Sequence, residues 1–123
     1  MTQARSATPA SIVECGYQAW LSVDERVSGF PRDARRALGH RAVDALLDAL
    51  VATIEAAYLP KGRERISRLE AANRRLSVAR ILLRGARDRR RLPVPQHDNA
   101  MRLLDDWGRQ LGGWLRFEPG GDR

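Results

Sequence analysis

Apolar positions along the chain recur every three or four residues and almost nowhere every two, so the pattern predicts helices and no sheet. Clusters of Pro and Gly cut it into four stretches of helical length. The first helix is expected over about 9–28. Thr8 stands as an N-cap before Pro9, a residue suited to a first helical turn, and Val13, Gly16, Trp20, Val23 and Val27 form the stripe. Gly29-Phe30-Pro31 ends it. The second is expected over about 35–59, with Val43, Leu47, Leu50, Ile54 and Ala57 as its core stripe and Leu59-Pro60 as its stop. The adjoining stripe of that helix, Ala42, Leu46, Ala49, Thr53 and Ala56, is mostly small and admits the close approach of another helix.

The third helix is expected over about 62–90 on Ile66, Leu69, Ala72, Leu76, Ala79, Leu83 and Ala86, with Pro93 and Pro95 closing it. The fourth is expected over about 96–117. Its Met101, Leu104, Gly108, Leu111 and Leu115 share one face, and Ala100, Leu103, Trp107 and Trp114 share the next. That apolar arc is wider than the ~100° one core requires, which predicts a second buried contact. Residues 118–123 are expected as a flexible tail. Helices of this length run about 30–40 Å at 1.5 Å per residue. Four of them make an all-α, antiparallel up-and-down four-helix bundle, one domain over residues 1–123.

A chain of 123 residues suits a single domain. Its one cysteine, Cys15, excludes an internal disulfide framework and a multi-Cys metal site, and is expected as a buried, inert thiol in a reducing compartment. No apolar run reaches the ~18 to 20 residues of a membrane span, and MTQARSATPAS lacks the apolar segment of a signal peptide. A cytoplasmic protein with no membrane partner is expected. His40 and His97 stand 57 positions apart outside any HxxxH or HExxH context, and read as helix-end or surface residues, not metal ligands. A glycine-rich phosphate loop and a GxSxG nucleophile are both lacking. Asp105 and Asp106 point about 100° apart on a helix, so they are expected to meet basic residues of the third helix and not to act as a catalytic pair. The expectation is no enzyme and no cofactor.

Charge changes the picture more. There are 22 basic residues, all arginine except Lys61, against 15 acidic ones, a net +7. Residues 61–91 hold 12 of the basic residues against Glu64, Glu70 and Asp88, a net +9, so the rest of the chain is at −2. Arg80, Arg84, Arg87 and Arg91 step by four, three and four, which predicts one ridge, and Asn73 shares it as part of the surface or as a polar edge of the core seam. Like charges so spaced repel by a few tenths of a kcal/mol each. A phosphate-bearing partner relieves that repulsion, and the guanidinium fork fits it. The alternative is a solvated face, with Arg89, Arg90 and Arg91 favoured by the helix C-terminus in any case. Gly112 and Gly113 each cost a helix about 1 kcal/mol against Ala, which predicts either close approach by a neighbouring helix or subunit, with Gly108 one turn earlier, or a helix broken at Gly112.

The stretches FPRDARRALGHR (Phe30 to Arg41), LLDALVATIEAAY (Leu46 to Tyr58), ANRRLSVARILLRGARD (Ala72 to Asp88) and above all RLLDDWGRQLGGWL (Arg102 to Leu115) resemble the Avd proteins. These are the accessory variability determinants of diversity-generating retroelements, related to the four-helix proteins of ribosomal RNA intervening sequences. The resemblance implies a four-helix bundle assembled as a ring-like homopentamer, a non-catalytic partner of the reverse transcriptase and template RNA in mutagenic copying. Carried onto this chain, it implies contacts through Arg74, Arg75, Arg80, Arg84, Arg87 and Arg91. It departs from the family at Arg36-Ala37, where an aromatic is common, which bears on the loop between the first two helices. The alternative is a general RNA- or ribosome-associated bundle without a retroelement. Neighbouring genes discriminate the two.

Overall fold

A computed structural model of the chain describes residues 7–118 and contains four long helices and no strand among them. We label them α1 (Pro9–Val27), α2 (His40–Tyr58), α3 (Arg63–Asp88) and α4 (Val94–Arg116). α1 starts as expected: Thr8 accepts from the Ser11 amide at 3.1 Å and Ser11 Oγ accepts from the Thr8 amide at 2.9 Å, a reciprocal cap ahead of Pro9. The helices pack in chain order around a square, α1 on α2, α2 on α3, α3 on α4 and α4 on α1, with α2 and α3 sharing the most extensive contact.

α3 shows why. Leu69, Leu76 and Leu83 alternate with Ala72, Ala79 and Ala86 at a strict seven-residue period, all of them buried. This is the seam of a left-handed supercoil. The leucines need holes, and α2 supplies them with its small stripe: Ala42, Ala45, Leu46, Ala49, Thr53 and Ala56 are wholly buried. The expected core stripe of α2 is therefore corrected. Leu50 is buried, but Leu47 is exposed and Val43, Ile54 and Ala57 are only half-buried. In α1 the stripe rotates slightly, burying Ile12 and Ala19 and leaving Val13 and Trp20 half-buried.

α2 does not start at residue 35 as a plain helix. A single α-helical turn, Arg32–Ala34, widens into a π-helical stretch, Arg35–Gly39, before His40–Tyr58 continues. Gly39 ends this stretch where space is tight: a Cβ there would fall 2.6 Å from Val27 Cγ1 and 3.1 Å from Phe30 Cδ2, so glycine lets the end of α1 and Phe30 approach closely.

α3 ends at Asp88, with Arg90 in the left-handed region at φ 60°. The Arg91 amide donates to Ala86 O at 2.8 Å and the Arg90 amide to Arg87 O at 2.9 Å, which is a Schellman turn with an arginine where glycine is usual. At the other end of the bundle Glu118 is buried, holding Trp114 Nε1 at 3.1 Å and Arg65 Nη1 at 3.4 Å. The tail expected from residue 118 thus does not begin there. Residues 119–123 lie outside the described ones. Among the described residues no helix is long and apolar enough to cross a membrane.

Candidate nucleic-acid interface

Of the six arginines singled out from the sequence, the four expected in one ridge, Arg80, Arg84, Arg87 and Arg91, do not all lie on it. Arg75 lies on the edge of α3 that faces α2, where its Nη2 stands 3.5 Å from Asp48. Arg80 lies on the opposite edge, facing α4, with Nη2 3.1 Å from Asp105 and 3.3 Å from the Leu104 carbonyl. Arg84 and Arg87 share Asp88 at 3.7 Å and 2.8 Å. Arg91 has left the helix through the left-handed turn and reaches Asp33 at 3.0 Å, across to the segment leading into α2. So the expected helical ridge stops at Arg87. Arg74 alone of the six is exposed with no acidic partner among the described residues.

These ion pairs are mostly at the surface, where each contributes about 0–1 kcal/mol, so a phosphate can displace the carboxylate at little cost. The Asp88 carboxyl is held below the usual carboxylate range, first by the hydrogen bond from Arg87 and then by the charges of Arg87 and Arg84. Its folded-state value being depressed, its contribution to stability is complete above the ordinary carboxylate range and fades as pH falls through the depressed value. Asp105 meets α3 as expected, but Asp106 does not: it pairs with Arg109 at 2.9 Å and lies 3.5 Å from Cys15 Sγ.

Arg84, Arg87 and Arg91 lie toward one end of the bundle, Arg80 borders it, and Arg74 and Arg75 stand at the middle of α3. The Asp33–Arg91 contact brings the α1–α2 connection beside the α3–α4 connection. Residues 24–41 and 84–98 together carry ten arginines against Asp24, Glu25, Asp33, Asp88 and Asp98, which is +5 of the chain's +7. Arg32, Arg35, Arg36 and His40 belong to this pole and were not singled out by sequence reasoning. Their signal was present in FPRDARRALGHR, but helical stepping from Arg80 onward drew the count to α3 alone.

Other expectations resolve around this frame. His97 is in the first turn of α4 but buried, not at the surface, with neither ring nitrogen hydrogen-bonded. His40 is exposed at the start of α2. Cys15 is half-buried, and its thiol is pushed up to about 11, by burial first and then by the Asp106 charge. Gly112 and Gly113 approach no other helix, a Cβ at either meeting only their own Arg116 at 3.8 Å, and α4 runs unbroken through them. Close approach occurs instead at Gly108, where a Cβ would stand 2.9 Å from Arg80 Nη2 and 3.3 Å from Leu76 Cδ2. Among the described residues no group of His, Cys, Asp and Glu is placed to hold a metal ion.

A bAvd-like family model matches residues 22–118. Neither the curated proteins nor the solved structures contain a match to this chain.

Proposed function

The chain belongs to the bAvd-like family, and on that footing we propose that it is a non-catalytic accessory protein of a diversity-generating retroelement that binds reverse transcriptase and template RNA through its basic pole. The observation that carries this reading is the placing of +5 of the net +7 on two adjacent connections at one end of the bundle. Arginine fits a phosphodiester through paired N–H donors, and the acids at this end are too few to neutralise ten of them. Arg84, Arg87 and Arg91 line the pole, Arg80 borders it, and Arg74 and Arg75 extend the basic surface along α3.

The reading includes assembly with further copies of the chain. Val43, Leu47, Val51, Ile54 and Tyr58 fall within an arc of about 80° on α2 at 100° per residue. Leu47, Val51 and Tyr58 in this arc are exposed at 41, 45 and 87%. An apolar face of this kind on a highly charged chain suits a second copy of the chain, and a ring of copies would cover it on every subunit.

The test is a binding titration of structured template RNA between 50 and 200 mM salt. Each phosphate neutralised on a single strand contributes roughly −0.7 to the slope of log affinity against log salt, so engagement of four arginines gives a slope near −3. A flat profile would remove the electrostatic mechanism. Co-purification with a retroelement reverse transcriptase tests the protein partner, and its loss when Arg80, Arg84 and Arg87 are all changed to Glu is the expected result.

A further inference from the structure

The π-helical stretch borders a cleft that the reading above does not require. Arg32, Asp33, Arg35, Arg36 and His40 line an open space of about 600 Å³ beside the α1–α2 connection. We propose that this cleft is a seat for a phosphodiester of single-stranded RNA, with Arg35 as its fixed wall and Arg32, Arg36 and His40 as its donors. The proposal rests on the reading of the protein as an RNA-binding accessory and names where on the pole the backbone docks.

Three observations support it. Cations outnumber acids in the cleft, and the charge of its single carboxylate, Asp33, is offset by Arg91 at 3.0 Å. Arg35 is anchored, its Nη2 donating to the Phe30 carbonyl at 3.0 Å, so its guanidinium is oriented before any ligand arrives and loses little freedom on binding. Arg32 and Arg36 are exposed with no acidic partner among the described residues, whereas Arg75, Arg80, Arg84, Arg87 and Arg91 are all paired within the chain. Widened turns of this type recur at functional sites because they re-aim side chains that an ideal helix would spread. A carboxylate-bearing peptide is the weaker fit, because an extended run of phosphates can occupy several guanidinium groups at one spacing while also bridging to Arg89 and Arg90 next door.

The experiment uses the full chain and a 20-nucleotide uridine-rich RNA at 50 mM salt. Two double variants are compared: Arg32→Gln with Arg36→Gln in the cleft, and Arg63→Gln with Arg116→Gln at the far end, which removes the same charge. Circular dichroism and melting confirm that both fold. The cleft pair is expected to weaken binding by roughly tenfold and to make the salt slope shallower by about 1.4, two phosphates' worth, while the far pair stays within about threefold of the parent. Equal loss in both doubles would assign binding to diffuse net charge and overturn the cleft. Parent-like binding by the cleft pair would overturn it while leaving the RNA-binding reading intact, whereas a parent chain that binds no RNA would overturn both. Competition at matched ionic strength separates ligand sources. RNA that stays bound against 10 mM inorganic phosphate and against polyglutamate supports a polymer-borne phosphodiester; displacement by phosphate would assign the cleft to the free anion, and displacement by polyglutamate to an acidic protein segment, either overturning the proposal.

Discussion

Gly16 and Trp107 share one slot between α1 and α4. A Cβ at Gly16 would stand 2.5 Å from the Trp107 ring, and that ring is wholly buried. A wholly buried indole has little room to give, so Gly16→Ala is expected to lower stability by about 1–3 kcal/mol through overpacking, read as a lower urea midpoint with unchanged slope. Arg90 gives the opposite sign. It occupies the left-handed region with an exposed side chain, a conformation that costs a non-glycine residue roughly 1 kcal/mol. Arg90→Gly is expected to raise the melting temperature by a few degrees; a drop would show that its charge matters more than its backbone. Cys15 supplies a pH test. With its thiol at about 11 against an ordinary 9.0, its thiolate fraction near pH 8 is about one hundredth of that of a free thiol. Alkylation should slow accordingly and quicken in Asp106→Asn. Because this folded-state value is raised, the stability it contributes is full below pH 9 and is lost as pH climbs toward 11. Cys15 was expected to be buried in an apolar setting; it is half-buried beside Asp106 and Gln110, and Asp106 was not legible as its neighbour, since 91 positions separate them in sequence.

At the scale of the element, helix existence was legible almost throughout, because three- and four-residue stepping and Pro or Gly punctuation are local signals. The buried face of α2 was not. Hydrophobicity ranks Val43, Leu47 and Ile54 above alanine, but the wide Leu69, Leu76 and Leu83 knobs of α3 select the face with the smaller side chains. The π stretch has no local signal in the sequence, and the close packing of Val27 and Phe30 around Gly39 is tertiary. Arg65 shows how two elements are tied at the far end. Its Nε donates to the Ala56 carbonyl at 2.9 Å and its Nη2 to the Leu59 carbonyl, closing the end of α2, while its guanidinium lies 5.5 Å above the Trp114 ring and contacts buried Glu118. Arg65→Met keeps the stem but removes these donors. We expect a loss of about 2–4 kcal/mol, measured by denaturant unfolding, and partial recovery in the double variant Arg65→Met with Glu118→Gln.

For the whole molecule, the antiparallel bundle was legible and the distribution of charge only partly so. Counting along the chain placed +9 on the third helix, yet acids from neighbouring helices meet Arg68, Arg75 and Arg80 along its length. What is left over collects where the two upper connections meet. The apolar arc on α2 belongs to this scale as well. Light scattering is expected to find several copies per particle, and Leu47→Asp with Val51→Asp to yield a monomer of unchanged helicity; a monomeric parent would remove the ring.

The antiparallel order also governs how the chain would meet a polyanion. Each end of the bundle carries two helix N-termini and two C-termini, so the peptide dipoles cancel along the axis. The long-range field is then set by side chains, and the chain behaves as a rod with one positive pole. Near a polyanion such a rod feels a torque before it makes any contact, and it arrives pole first, which raises the fraction of productive encounters at low salt. Copies assembled in parallel would sum their poles into one charged face, and two such assemblies would repel face to face. An RNA strand threaded between them would turn that repulsion into a bridge.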